Sequence, residues 1–411
     1  MGYKVNKGLI VKILGSVLVL AVGSAALALV SLDKETRGIL VHVPTNRDVL
    51  FWSIPQRDAA FRAMDRLPFL AQSRAVAVGP NPLALPLGPP LKLDNLDAYM
   101  ASQRIAGLVI LQDGKIRLER YGLGFDAKGR WTSFSVAKSF TSSLVGAAIQ
   151  DGYIKSLEDK VSTYIPDLKG SAYDDVSIEQ LLTMSSGVAW NEDYEDPNAD
   201  VAKFNEAKPD PGVDATVSYM RKLPRAHPPG QVWHYNTGET NLIGALVSSA
   251  TKQPLATYLS EKIWKPFGME QKATWLLNAT GQEIAGCCLQ IATRDYARMG
   301  LFVLAQGKIG DKSVVPEGWF AKATTKQKDY GEPDRGYGYQ WWTYDSGAVS
   351  AQGIFGQGIF IDPKRRLVIA SNANWTRANQ RPQAQAREDF YRQVQAALDG
   401  EVTQATTKLA K

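Results

Sequence analysis

Ser135 and Lys138 stand three residues apart in Ser135-Val136-Ala137-Lys138, between a segment that reads as a β-hairpin and one that reads as an apolar helix. That order constrains the fold more than any other feature of the chain. Residues i and i+3 share a helical face, so the hydroxyl and the amine can share a pocket. A helix start adds free backbone N–H groups and positive dipole character, which hold a developing anion. A lysine in a dry pocket loses proton affinity, because desolvation disfavours its charged form. As a neutral amine it can take the proton of the serine hydroxyl. The hairpin runs from Leu108 to Tyr121 with Asp113-Gly114 as its tight turn. Phe140, Leu144, Ala147 and Ala148 recur at helical spacing after the serine, and Gly152 marks the stop. The expected chemistry is that of a serine hydrolase working through an acyl-enzyme. Ser-x-x-Lys recurs at Ser31–Lys34 and Ser249–Lys252. The first follows no strand, and the second closes an apolar run just before Gln253-Pro254.

A third partner is needed to move the proton to the leaving group. Tyr235, in Val232-Trp233-His234-Tyr235-Asn236-Thr237-Gly238, is the best placed phenol. A nearby lysine charge is expected to tune it downward. A Ser-His-Asp hydrolase is the enzymatic rival, but the chain has three histidines, His42, His227 and His234. His42 lies ahead of the catalytic region and His227 precedes Pro228-Pro229. His234 would point away from Tyr235 in an extended segment. There is no Gly-x-Ser-x-Gly elbow and no His-x-x-x-His pair for a metallohydrolase. No cofactor and no metal are expected. Trp190, with Asn191, Glu192, Asp193 and Tyr194, suits a substrate-contacting loop rim.

A net charge of +6 raises the question of nucleic acid or an acidic surface. Lys and Arg are scattered, with no basic run interleaved with aromatics, so no nucleic-acid partner is expected. The chain is long enough for a large core. Lys4, Lys7 and Lys12 precede an uncharged run, Ile13 to Leu32, about long enough to cross a bilayer as a helix. The positive flank predicts a cytoplasmic N-terminus and an exported remainder. The run favours an uncleaved inner-membrane anchor with a periplasmic catalytic domain. The rival is export after signal cleavage, near Ala26-Leu27-Ala28. Cys287 and Cys288 are the chain's two cysteines. Neighbouring cysteines rarely bridge, so the expectation is two small buried apolar residues before a helix.

The expected organisation is a membrane anchor or signal segment over 1–32 and a pre-domain segment with a proline-rich strap over 33–92. A serine hydrolase domain over 93–400 carries a helical insertion over about 140–290, and a tail follows over 401–411. In the pre-domain segment Phe61, Met64 and Leu67 line one helix face, and Pro80 to Pro90 read as an extended strap. Leu93–Gln103 reads as a helix, and residues 136–280 read as mostly helical. Ser177-Ile178-Glu179-Gln180 is a capping box. Strand character returns at Gly336–Tyr344. A hairpin follows, Gly358–Ile361 and Leu367–Ser371 around Asp362-Pro363-Lys364, and Gln385–Leu398 is a last helix. These connections predict an α+β fold, an antiparallel sheet flanked by helices with an inserted helical domain.

Taken in order, several stretches resemble one family. They are Ser135-Val136-Ala137-Lys138, Leu181-Leu182-Thr183-Met184-Ser185-Ser186-Gly187 and Tyr235-Asn236-Thr237-Gly238. Pro266-Phe267-Gly268-Met269, Arg294-Asp295-Tyr296-Ala297-Arg298 and Phe355-Gly356-Gln357-Gly358 follow. The chain resembles the β-lactamase-related serine hydrolases: class C β-lactamases, D-alanyl-D-alanine carboxypeptidases, the related family VIII esterases and 6-aminohexanoate-dimer hydrolase. The resemblance covers roughly residues 93–400. It implies the β-lactamase/transpeptidase-like fold, with Ser135 as nucleophile, Lys138 as base and Tyr235 as proton relay. It also implies an oxyanion hole made by the backbone N–H groups of Ser135 and Ile354. Trp190, Thr237 and Gln352 are the expected substrate contacts. Two departures stand out. The family's Tyr-x-Asn reads Tyr235-Asn236-Thr237, and its sheet-edge Lys-Thr-Gly is replaced by Ala351-Gln352-Gly353. The missing lysine removes a charge-assisted grip on a substrate carboxylate. An ester or amide is therefore the expected small-molecule substrate ahead of a β-lactam. The second reading is a catalytically idle penicillin-binding-like protein that binds cell-wall fragments or a partner.

Overall fold

The computed structural model describes residues 34–67, 72–204 and 206–409, with positions 15–19, 22–24, 27, 30 and 31. Much of the apolar run 13–32 lies outside the described residues. Among those described, no helix is long and apolar enough to cross a membrane.

The strands, in chain order, are β1 (Ser73–Val76), β2 (Ile105–Gln112), β3 (Lys115–Tyr121), β4 (Trp131–Thr132), β5 (Ala273–Leu276), β6 (Leu289–Ile291), β7 (Lys308–Ile309), β8 (Lys312–Ser313), β9 (Arg335–Tyr337), β10 (Trp342–Tyr344), β11 (Val349–Gly353), β12 (Gln357–Asp362) and β13 (Leu367–Ala373). Seven form one antiparallel sheet in the order β3-β2-β13-β12-β11-β10-β9. The β2–β3 turn sits where Asp113-Gly114 predicts it. Both residues have positive φ (49° and 73°), as the tight hairpin turn requires. The predicted β12–β13 hairpin also forms, around Pro363–Arg365.

Both faces of this sheet are buried, which is why β2 reads as a continuous apolar run. Alternate residues point to opposite sides. Val109 and Leu111 enter the large core shared with the helical insertion. Leu108 and Ile110 pack toward Phe390, Val394 and Leu398 of the C-terminal helix. That helix spans Arg381–Leu409, longer at both ends than the predicted Gln385–Leu398. The predicted strand Gly336–Tyr344 is broken into β9 and β10. Gln340 between them takes φ 63° and donates its backbone N–H to Leu182 O, leaving the ladder.

The insertion is less helical than its pattern suggests. Two long helices, Ala137–Gln150 and Thr237–Thr251, are joined by helices of four to six residues and by loops. Prolines and short polar side chains between residues 190 and 230 favour turns over helix propagation. The capping box at Ser177–Gln180 forms as predicted.

Residues 49–67, with 73–76 and Leu87, pack against this body rather than beside it. β1 pairs with β5 in a four-stranded sheet, β1-β5-β6-β4. The strap bridges Leu87 to Ile116 along β3. Phe61 and Met64 are buried, but not on one helix: the helix Ile54–Ala60 ends first, and a tighter turn, Met64–Arg66, follows. Phe61 packs on Trp131, Phe134 and Phe355 with ring centroids 5.0–5.9 Å apart.

Candidate active site

Ser135 lies in a short turn, Phe134–Val136, that feeds the helix Ala137–Gln150. Phe134 takes φ 42°, a conformation that non-glycine residues hold only when packing over-determines it. The packing is the Phe61–Phe134–Phe355 cluster. The helix behind it is buried throughout its first three turns, and three of its hydroxyls bond to carbonyls. Ser139 donates to Gln340 O at 2.7 Å, and Thr141 to Ala285 O at 2.9 Å. A rigid, dry helix and the turn that feeds it therefore carry Ser135 and Lys138.

Lys138 is 2% exposed. Its Nζ lies 3.2 Å from Ser135 Oγ, 3.0 Å from Thr237 Oγ1 and 2.8 Å from Gly286 O. Burial pulls its pKa down to about 8, and the charge of Glu192 opposes the fall. The partners dictate where the protons go. Gly286 O can only accept. Thr237 Oγ1 gives its own proton to Glu192 Oε1, so its lone pairs are left for Lys138. A neutral amine then spends its two N–H bonds on Thr237 and Gly286, and its lone pair faces Ser135.

Tyr235 is brought to the same place. Lys138 Nζ lies 5.2 Å from the Tyr235 ring centroid, and the Ser135 hydroxyl is near enough to the phenol to favour its charged form. The expected downward tuning of this phenol does not occur. Burial, with Glu192 adding to it, raises its pKa well above the ordinary value, and the Ser135 hydroxyl opposes this only in part. The low-dielectric pocket penalises the phenolate more than the amine favours it. Tyr235 is thus a neutral donor and acceptor at ordinary pH.

The expected oxyanion donors lie close together. A Cβ built on Gly353 would meet Ser133 O at 2.6 Å and Ser135 N at 3.1 Å. Only glycine lets the end of β11 approach the nucleophile so closely. Ile354 follows directly, 8% exposed, and Phe355 after it has φ 59°.

The three expected substrate contacts fall in different places. Thr237 is in the site, as Lys138's acceptor. Trp190 is packed in the main core, 6% exposed, edge-on to Phe204 and Tyr219, and its Nε1–H donates to Glu192. It does not form an open rim. The polar stretch after Ser186-Gly187 folds its indole inward, and Glu192 takes the place at the site. Gln352 accepts from Arg387 Nη2 at 2.6 Å and donates to Ser350 Oγ at 2.8 Å, which ties it to the C-terminal helix.

Glu192 is the functional residue that pattern reading did not single out. It accepts from Thr237 N at 3.0 Å, from Tyr194 OH at 2.7 Å, and from the Thr237 hydroxyl and Trp190 indole. Asn241, on the first turns of the Thr237–Thr251 helix, accepts from Gly286 N at 2.8 Å and so aims the Gly286 carbonyl. Trp233 and Trp342 surround Tyr235, with Trp342 stacked at 5.7 Å, so Trp342 lines the site mouth from its strand.

Cys287 and Cys288 are also corrected. They are half-buried and joined by a disulfide. An extended pair would point its side chains apart, but Cys288 takes φ 70°, which turns the two sulfurs together. β6, not a helix, follows immediately.

The chain belongs to the beta-lactamase family, whose profile matches residues 94–393, and it is a serine hydrolase of the esterase or amidase type. It is 28% identical to the 6-aminohexanoate-dimer hydrolase of Paenarthrobacter ureafaciens over 322 residues, 73% of this chain and 82% of the relative. Among solved structures it is similar to a candidate 6-aminohexanoate-dimer hydrolase from Bacillus anthracis. The TM-score is 0.70 and identity 24%, covering 86% of this chain and 95% of that one. It is also similar to EstCE1, a hydrolase with promiscuous acyltransferase activity, with TM-score 0.58, 13% identity, and 74% and 96% covered. The expected β-lactamase/transpeptidase-like α+β fold is therefore the observed one.

Proposed function

We propose that Ser135, Lys138 and Tyr235 hydrolyse a linear amide or ester in two steps. Lys138 takes the Ser135 proton as the oxygen attacks the carbonyl. The oxyanion rests on the N–H groups of Ser135 and Ile354. Tyr235 passes a proton to the leaving amine or alcohol, and water then cleaves the acyl-enzyme. The observation that carries this reading is the bonding of Lys138 Nζ, whose acceptors at Thr237 and Gly286 leave its remaining valence for Ser135. A linear amide is favoured because Ala351 stands where a carboxylate-gripping lysine would be, and because a named relative acts on an aminohexanoate dimer. The idle, cell-wall-binding alternative is not favoured, since the nucleophile, base and relay are all present. A fluorophosphonate probe tests the assignment. Labelling in the wild type and none in Ser135→Ala is expected; labelling that survives the substitution refutes it. A panel of linear amides, p-nitrophenyl esters and a β-lactam then ranks substrates.

The hydrolase unit is taken as 93–400, with its insertion at about 140–290, and residues 1–32 as an anchor that holds it in the periplasm. The uncharged run 13–32 with its lysine flank supports the anchor. Retention of the full chain in membranes washed with alkaline carbonate is the expected result, and release into the wash would end that assignment.

A further inference from the structure

We propose that Cys287–Cys288 is a thiol–disulfide exchange site that sets the activity of Ser135, an inference that rests on the nucleophile reading above. The bridged pair lies between two of the site's supports. The residue before it, Gly286, accepts from Lys138 Nζ at 2.8 Å. The residue after it, Leu289, donates its N–H to Ser133 Oγ at 3.1 Å and accepts from Ser133 N at 2.9 Å, two positions before the nucleophile. One covalent ring thus spans the backbone that aims the base and the backbone that seats the serine turn.

The surroundings join the same region. Both cysteines pack against the cluster holding Phe134, Ile354 and Phe355, the residues beside the nucleophile and at the expected oxyanion donor. Cys287 O accepts from Trp275 Nε1 at 3.0 Å, and Cys288 O accepts from Leu276 N at 3.1 Å, so the outer side is held by β5. Cys288 holds φ 70°, which a non-glycine residue adopts at a cost, and the ring resists its relaxation. Opening the ring lets the 286–289 backbone relax toward an extended path. The Gly286 carbonyl then loses its aim at Lys138.

The exchange needs a dithiol reductant. Its thiolate attacks one sulfur, breaks the S–S bond and forms a mixed disulfide. Its second thiol then displaces that sulfur. The protein gains two thiols, two electrons and two protons, and the dithiol leaves as its own disulfide. Both cysteines are half-buried rather than sealed, which leaves the bridge open to a small dithiol. The chain has no other cysteine, so every effect of such a reductant on cysteine acts here.

The test uses the full chain, dithiothreitol, iodoacetamide with mass measurement, and the rate of fluorophosphonate labelling at Ser135. No alkylation before reduction and two alkylations after it are expected. On reduction the labelling rate should fall roughly ten- to a hundredfold, the scale of a misplacement of about 1 Å in a catalytic group. Oxidised dithiothreitol should restore it. Cys288→Ser keeps a non-glycine residue at φ 70° and cannot form the bridge. It should label at the reduced protein's rate, with or without reductant. Two free thiols before reduction, an unchanged rate after both are alkylated, or a reductant-sensitive Cys288→Ser would each overturn the proposal. Absence of Ser135-dependent labelling in the oxidised protein would instead remove the nucleophile reading, and this proposal with it.

Discussion

The two walls of the site are built in opposite ways. On the helix wall, a buried amine is surrounded by three acceptors, and each acceptor is itself held: Thr237 by Glu192, Gly286 by Asn241, Ser135 by the turn at Phe134. On the sheet wall, β11 offers backbone and small side chains. Ala351 is buried, Gly353 makes a close approach, and Gln352 is turned to Arg387. The chemistry is concentrated on the wall whose polar groups are saturated. The wall that would grip a substrate's charge carries no cation at 351. The difference suggests that this enzyme spends its buried polar groups on proton transfer and leaves recognition to shape and aromatic contact around Tyr235.

The largest effect expected is on the helix wall. Lys138→Met keeps the side chain's volume but removes the base, and should lower kcat by ~10³–10⁴. It should do so for esters and amides alike, as single-turnover kinetics would reveal. Tyr235→Phe should cost less, ~10²–10³, and more for an amide than for a p-nitrophenyl ester, whose leaving group needs no proton. Equal losses for the two substrates would remove the relay role. Glu192→Gln tests tuning. Lys138 acts when neutral, so kcat/KM should rise with pH through its pKa of about 8 and then level. Glu192 holds that pKa up, so its neutralisation should move the rise to lower pH; an unmoved or upward-shifted limb would contradict the assignment. The smallest effect belongs to the sheet wall. Gln352→Ala should change kcat/KM for a linear amide by less than about threefold, because its side chain is engaged by Arg387 rather than by the site. A large loss there would show that the sheet wall also grips the substrate through a side chain.

Legibility followed the range of the interaction. Ser135 and Lys138 share one helical turn, so a spacing of three residues was enough to pair them. The β2–β3 and β12–β13 hairpins were legible because tight turns demand particular residues. Tyr235 was found from its motif, but the direction of its pKa shift was not, since that depends on how much of the ring is desolvated. Trp190 was expected at a loop rim and Gln352 at the sheet edge, both as substrate contacts, and both side chains are engaged elsewhere. Glu192 and Asn241 act across gaps of tens of residues and carry no spacing signal that ties them to Lys138.

What the amino-acid order determined by itself was local: the Ser-x-x-Lys turn, the buried helix behind it and the hairpins. These rest on periodicity and turn chemistry, which act over a few residues. The tertiary structure alone decided that residues 52–64 brace Phe134 and Phe355, that Glu192 and Gly286 meet Lys138, and that Cys288 turns back on Cys287. Burial, dielectric and close approach arise only when distant segments pack. The proton affinity of the site is therefore a property of the folded chain.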